Sequence, residues 1–291
     1  MVGGTTALAA LLILALFSVV PGDAIDALPN GPEVRAQLEA QWGIHGGEIG
    51  YSLTVSPGAP VGELCAAALT TSLTLLFPAL FVTLAAGFAA AALLPPGAAA
   101  WRRGLHLLGN AVSSAPTVIL ALTTVLVINS GTWALMERGL IDRPAWFALP
   151  AEPGAIRAVV AIVVLAVGSA RLSQVSARAR QLLDELDRAS FIEAVRSRGQ
   201  GTLGTRLHHL LVPTARLASE QVPSCFAGLI VVERAFNIPG AGTLFWQACA
   251  GRDWPVAVGV ALGAALLTAA ARMAAETIAV VVDPRERELA A

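Results

Sequence analysis

Six stretches of the chain are apolar over a length that can cross a bilayer core, for which roughly 20 residues of helix are needed. They lie at 5–21, 64–94, 105–129, 156–176, 217–236 and 254–282. The pattern predicts an all-α polytopic membrane protein with six transmembrane helices, because a helix satisfies its backbone hydrogen bonds within the span. The leading Met-Val-Gly-Gly carries no basic group, which argues against reading the first stretch as a cleaved signal peptide. Pro78, Pro116 and Pro223 fall inside three of the spans and are expected to kink them.

The polar segments between the spans are unequal. Residues 22–63 are long and turn-rich, and 32–42 has helical spacing with Val34, Leu38 and Trp42 on one face. Residues 177–217 are the most charged part of the chain. There Leu182, Leu183, Leu186, Phe191, Ile192 and Val195 form an apolar stripe between Arg, Asp and Glu. Spacing alone leaves open a solvated amphipathic linker and a helix that docks a cytoplasmic partner. The division expected is a first transmembrane helix at 1–21, an external structured segment at 22–63 and a five-helix core at 64–291, with the charged loop at 177–217.

Arginine orients these elements. Arg102, Arg103, Arg178, Arg180, Arg188, Arg196, Arg198, Arg206, Arg216, Arg285 and Arg287 fall on one set of loops. Only Arg35, Arg138, Arg143 and Arg252 fall on the other. The positive-inside rule makes the first set cytoplasmic, together with both termini.

Composition agrees and excludes several classes. The apolar set is 56% of the 291 residues and the charged set 13%, about half the ~25% of globular domains. Mean hydropathy is +0.69. A net charge of −1 does not supply the basic field of a nucleic-acid binder. All 19 basic residues are arginine. Without lysine the chain cannot build a Walker-type phosphate loop, so nucleotide energy would have to come from another subunit. Cys65, Cys225 and Cys249 fit neither a metal-ligand spacing nor a disulfide framework.

The charged loop contains Ser190-Phe191-Ile192-Glu193-Ala194-Val195-Arg196-Ser197-Arg198-Gly199, with Pro213 fourteen residues on. It resembles the coupling loop of binding-protein-dependent ABC transporter permeases, Glu-Ala-Ala, three residues, Gly, then a distal Leu-Pro. Val195 replaces the second Ala, and Pro213 falls one place late. Three more segments match in the family's order. Leu16-Phe17-Ser18-Val19-Val20-Pro21-Gly22-Asp23 and Gly47-Glu48-Ile49-Gly50-Tyr51-Ser52-Leu53 are similar to segments after the first helix of dipeptide and oligopeptide permeases. Val231-Val232-Glu233-Arg234-Ala235-Phe236-Asn237-Ile238-Pro239-Gly240-Ala241-Gly242, continuing to Arg252-Asp253-Trp254-Pro255, is similar to their Val-Val-Glu-x-x-Phe-x-x-Pro-Gly-x-Gly.

The resemblance points to the B-type permease of a dipeptide, oligopeptide or nickel importer, with the type I importer fold. It implies a prokaryotic cytoplasmic membrane, membrane lipid around the spans, a second homologous permease, two ATPase subunits carrying ATP and Mg, and an extracytoplasmic solute-binding protein. It implies no cofactor or catalytic residue on this chain. Phe191, Ile192, Glu193, Ala194, Val195, Gly199 and Pro213 are the expected ATPase-coupling residues, with Gly199 ending the helix in a turn of φ > 0. Residues 239–254, beginning at Pro239, are expected to form a short helix or scoop at the external mouth, with Gly240 and Gly242 allowing a tight entry.

Further polar positions lie within the spans. Arg272 and Glu276 are four apart, so one helical face can pair them. Arg171 sits near the cytoplasmic boundary and is expected to snorkel. Adjacent His208 and His209 point apart on a helix and make a poor chelate. Two other classes carry different marks in a sequence. A membrane hydrolase needs convergent catalytic groups, which the sequence does not offer, and a secondary transporter is marked by an internal repeat with two interrupted helices.

Overall fold

The computed structural model describes residues 50–93, 100–140, 155–199 and 201–282, with isolated positions at 11, 33, 34, 36 and 37. The first predicted span, most of the 22–63 segment and the tail at 283–291 lie outside the described residues. Within them the chain is helical: α1 (Val61–Leu93), α2 (Ala100–Ser114), α3 (Thr117–Glu137), α4 (Ala155–Val167), α5 (Arg171–Asp187), α6 (Ser190–Ser197), α7 (Leu203–Ala235), α8 (Ala241–Ala250) and α9 (Trp254–Val282). The fold is all-α and membrane-spanning. α1, α3 and α9 are each long and apolar enough to cross a bilayer, and α4 with α5 meets the same test as one broken span bent by 57°.

α1 occupies the centre and touches α4, α5, α7, α8 and α9. Its Leu75, Leu76 and Ala79 are buried with Leu165 of α4, Leu229 and Val232 of α7, and Val256 and Val260 of α9. The outer faces stay apolar: Val118, Ile119, Leu122, Leu126 and Val127 of α3 are exposed, as befits a helix facing hydrocarbon.

Two boundaries differ from the hydropathy pattern. The span predicted at 105–129 is divided at Pro116, and the apolar crossing helix is α3, running on to Glu137. Pro116 has no N–H to donate and disfavours helix in the residue before it. Pro78 and Pro223, by contrast, lie inside unbroken α1 and α7. The span predicted at 156–176 is interrupted at 168–170, where Ser169 and Ala170 have φ of 56° and 62°. The apolar stretch at 217–236 belongs to α7, a 33-residue helix on the order of 50 Å long. Its first turns lie beside α6 and its last lead into α8. The two ends of α7 therefore define the two ends of the molecule.

Candidate functional site

At one end, two buried carboxylates hold the chain together. Glu233, in the last turn of α7, is fully buried. It accepts the Ser72 hydroxyl at 2.5 Å and the backbone N–H groups of Gly242 and Thr243 at 2.7 and 3.1 Å. The Ser72 hydroxyl oxygen in turn accepts the Ala241 N–H at 2.8 Å. The first three amides of α8 thus find partners, and an anion sits where the helix dipole favours one. Gly240 and Gly242 make this approach sterically feasible. A Cβ at Gly240 would overlap the Glu233 carboxylate, and one at Gly242 would overlap the Ile230 backbone.

Asp253, just before α9, is also fully buried. Its Oδ2 accepts the Ser52 hydroxyl at 2.6 Å and the amides of Leu53, Thr54 and Val55 at 2.9, 2.9 and 3.1 Å. Its carbonyl accepts the Ala257 N–H of α9 at 3.0 Å. The segment at 50–60 closes on itself through Ser52 N–H to Ala59 O and Val61 N–H to Gly50 O, forming a concave row of donors around the anion. Within 239–254 a short helix, α8, runs over Ala241–Ala250, with Pro239 and Gly240 immediately before it.

Mid-bundle, the break between α4 and α5 is cross-braced to the one at Pro116. Ser169 N–H donates to Ala115 O at 3.0 Å, and the Ser113 hydroxyl to Val167 O at 3.0 Å. The Ser169 and Thr117 hydroxyls are 2.7 Å apart. Arg171 spans the junction. Rather than snorkelling, it is 1% exposed. Its guanidinium donates to Leu165 O, to Ser224 O of α7 at 3.1 Å and to the Thr117 hydroxyl at 3.2 Å. A cation beside the C-terminal carbonyls of α4 is favoured by their partial charge.

At the opposite end, α6 is the short helix expected in the charged loop. Ala189 precedes it in extended conformation, and Gly199 follows it with φ of 68°, a turn that an L side chain strains. Ile192 is 2% exposed, so it anchors α6 to its own chain and is not available to a partner. Phe191 is 37% exposed and its ring lies 4.3 Å from that of His209 in α7. Glu193 and Ala194 are exposed and Val195 is half-buried. Pro213 lies within α7, half-buried. An ion pair between Asp187 and Arg206 at 2.5 Å joins the helices flanking α6.

The expected Arg272–Glu276 pairing is replaced. Glu276 pairs at 3.2 Å with Arg216 of α7, a half-exposed pair. The i, i+4 reach within α9 is outcompeted by the neighbouring helix. Local sequence does not single out Glu233 and Asp253, although both lie in the segments that carry the family resemblance. An acidic residue entering a short Gly-rich helix start, and another followed by Trp-Pro, were the available signals. The partners of Asp253 lie some 200 positions away and could not be read locally.

A bundle of apolar, membrane-spanning helices with a short exposed helix at one end and two buried carboxylate clamps at the other defines a polytopic membrane protein. No family model matches the chain. Over 276 residues it is 25% identical to the oligopeptide transport system permease protein AppB of Bacillus subtilis (strain 168), covering 88% of this chain and 81% of that protein. It is 29% identical over 104 residues to the nickel import system permease protein NikB of Staphylococcus aureus (strain MRSA252), covering 34% and 32%. The same protein of strain USA300 gives 29% over 103 residues. The chain is thus a homologue of ABC importer permease subunits.

Proposed function

We propose that this chain forms half of the translocation pathway of an ATP-driven importer of di- and oligopeptides in a prokaryotic cytoplasmic membrane. Its partners are a second homologous permease, two ATPase subunits that bind ATP and Mg, and an extracytoplasmic solute-binding protein. Both termini and α6 face the cytoplasm. The observation that carries this reading is the continuity of α7. One helix begins beside an exposed short helix, α6, and ends in the Glu233 clamp on α8. Movement imposed on α6 by closing ATPases is therefore delivered to the mouth without an intervening joint of loop. Phe191, Glu193, Ala194 and Val195 form the coupling surface, and Gly199 sets the angle at which the chain leaves it.

The test is ATP hydrolysis and uptake of labelled di- to pentapeptides by the reconstituted complex. Glu193→Lys and Gly199→Val should insert normally, assemble poorly with the ATPases and lose at least about tenfold of uptake, the scale of one desolvated charge-assisted bond. Parent-like transport by both variants sinks the coupling role of α6. The local similarity to nickel permeases favours nickel as the second cargo, and nickel uptake in the same vesicles, without peptide uptake, selects it.

A further inference from the structure

A cavity of about 420 Å3 lies between the outer half of α1 and one face of α8. Glu63, Ala67 and Thr71, each one step of four apart, line one wall, and Gly240, Thr243 and Gln247 line the other. Each wall is thus a single helix face, and the α1 face runs about 12 Å from Glu63 to Thr71. The Ala241 N–H bond to Ser72 ties the inner ends of the two walls together. α8 then runs outward, which brings Gln247 to the mouth on the side of Glu63. Between these positions the described lining is mostly apolar, with Ala68 beside Leu64, Leu244, Pro60 and Pro239. Among the described residues its only charged lining residue is Glu63.

Glu63 and Gln247 are both exposed, and neither side chain has a hydrogen-bond or ion-pair partner among the described residues. The inner end is different: Glu233 already fills the amides of α8, so the slot has no remaining anion site there. An acid and an amide at the mouth of an otherwise mostly apolar slot suit a solute with a cationic head and a slender body carrying small apolar side chains. An extended peptide advances about 3.3 Å per residue, so three or four residues match the 12 Å wall.

We infer that this slot is a solute site on the permease itself, taking the free α-ammonium end of a short extended peptide at Glu63 and Gln247. The inference deepens the peptide-importer reading and rests on it. It makes the permease, and not only its binding protein, selective for unblocked amino termini.

The test uses the assembled importer in nanodiscs, without the binding protein, and saturation-transfer NMR with trialanine and N-acetyl-trialanine as probes. Trialanine should give a signal at least about tenfold stronger than the acetylated peptide, the scale of one charge-assisted bond. Glu63→Gln should bring the two to parity. Ala67→Leu, which fills the slot at an exposed position, should abolish both signals. No trialanine signal from the parent, or undiminished discrimination in Glu63→Gln, overturns the site. ATP-driven uptake by the same complex with binding protein added separates the two readings. Uptake without a slot signal removes the site and leaves the importer, whereas a slot signal without uptake of any peptide keeps the site and removes the importer.

Discussion

Arg171, Glu233 and Asp253 each occupy a place where a charge is expensive, and each is held by neutral hydrogen-bonding groups rather than by an opposite charge. In a bilayer protein this arrangement trades a long-range ion pair for short directional bonds that fix geometry. For Asp253 the consequence is graded. Asp253→Ala leaves three loop amides and one hydroxyl without their acceptor, at about 1–3 kcal/mol for each buried group left unpaired. Asp253→Asn keeps an acceptor oxygen and loses only the charge-assisted part, roughly half of the strength. Thermal unfolding in detergent should therefore fall markedly for Ala and much less for Asn. Equal effects would mean that the carboxylate does not organise the segment at 50–60.

At the scale of elements, α6 shows how one amphipathic stripe serves two masters. The apolar residues Phe191 and Ile192 are adjacent, so they point in different directions around the helix. Ile192 turns into the chain and Phe191 turns out against His209. Ile192→Ala should cost the chain about 2–5 kcal/mol of its own stability through the cavity it leaves. Phe191→Ala should spare the isolated subunit and weaken assembly with the ATPases. Melting of the lone subunit and co-purification of ATPase distinguish the two, and a Phe191→Ala subunit that melts low with full ATPase binding would reverse the assignment. The broken helices follow the same logic. The α4–α5 break carries two non-glycine residues at positive φ, a strain of order 1–3 kcal/mol each, and persists because Arg171 and the Pro116 junction bond to it.

For the whole molecule, α7 links opposite faces. The end bearing α6 carries Arg178, Arg180, Arg188, Arg196, Arg198 and Arg206, whereas the end bearing α8 and the 50–60 segment carries Arg234 and Arg252. The arginine asymmetry then predicts sidedness. In a variant without the three native cysteines, Trp246→Cys should react with an impermeant thiol reagent added to intact cells. Arg198→Cys should react only after permeabilisation. Both positions are exposed, so reagent access is set by the membrane alone, and the opposite labelling pattern would falsify the proposed orientation.

Hydropathy by itself determined that this is an all-α membrane protein. A span must be apolar over a fixed length wherever it packs, and that constraint is local. The short helix α6, its Gly199 exit and the start of α8 were legible for a similar reason, since each depends on residues close in sequence. Tertiary structure alone decided the rest. The position of the helix breaks, the burial of Arg171, the partner of Glu276 and the clamps of Glu233 and Asp253 all depend on groups from distant segments, 201 positions apart for Ser52 and Asp253. A buried charge is stable only where such donors or acceptors converge, and convergence is a property of the packed bundle, not of any stretch of chain within it.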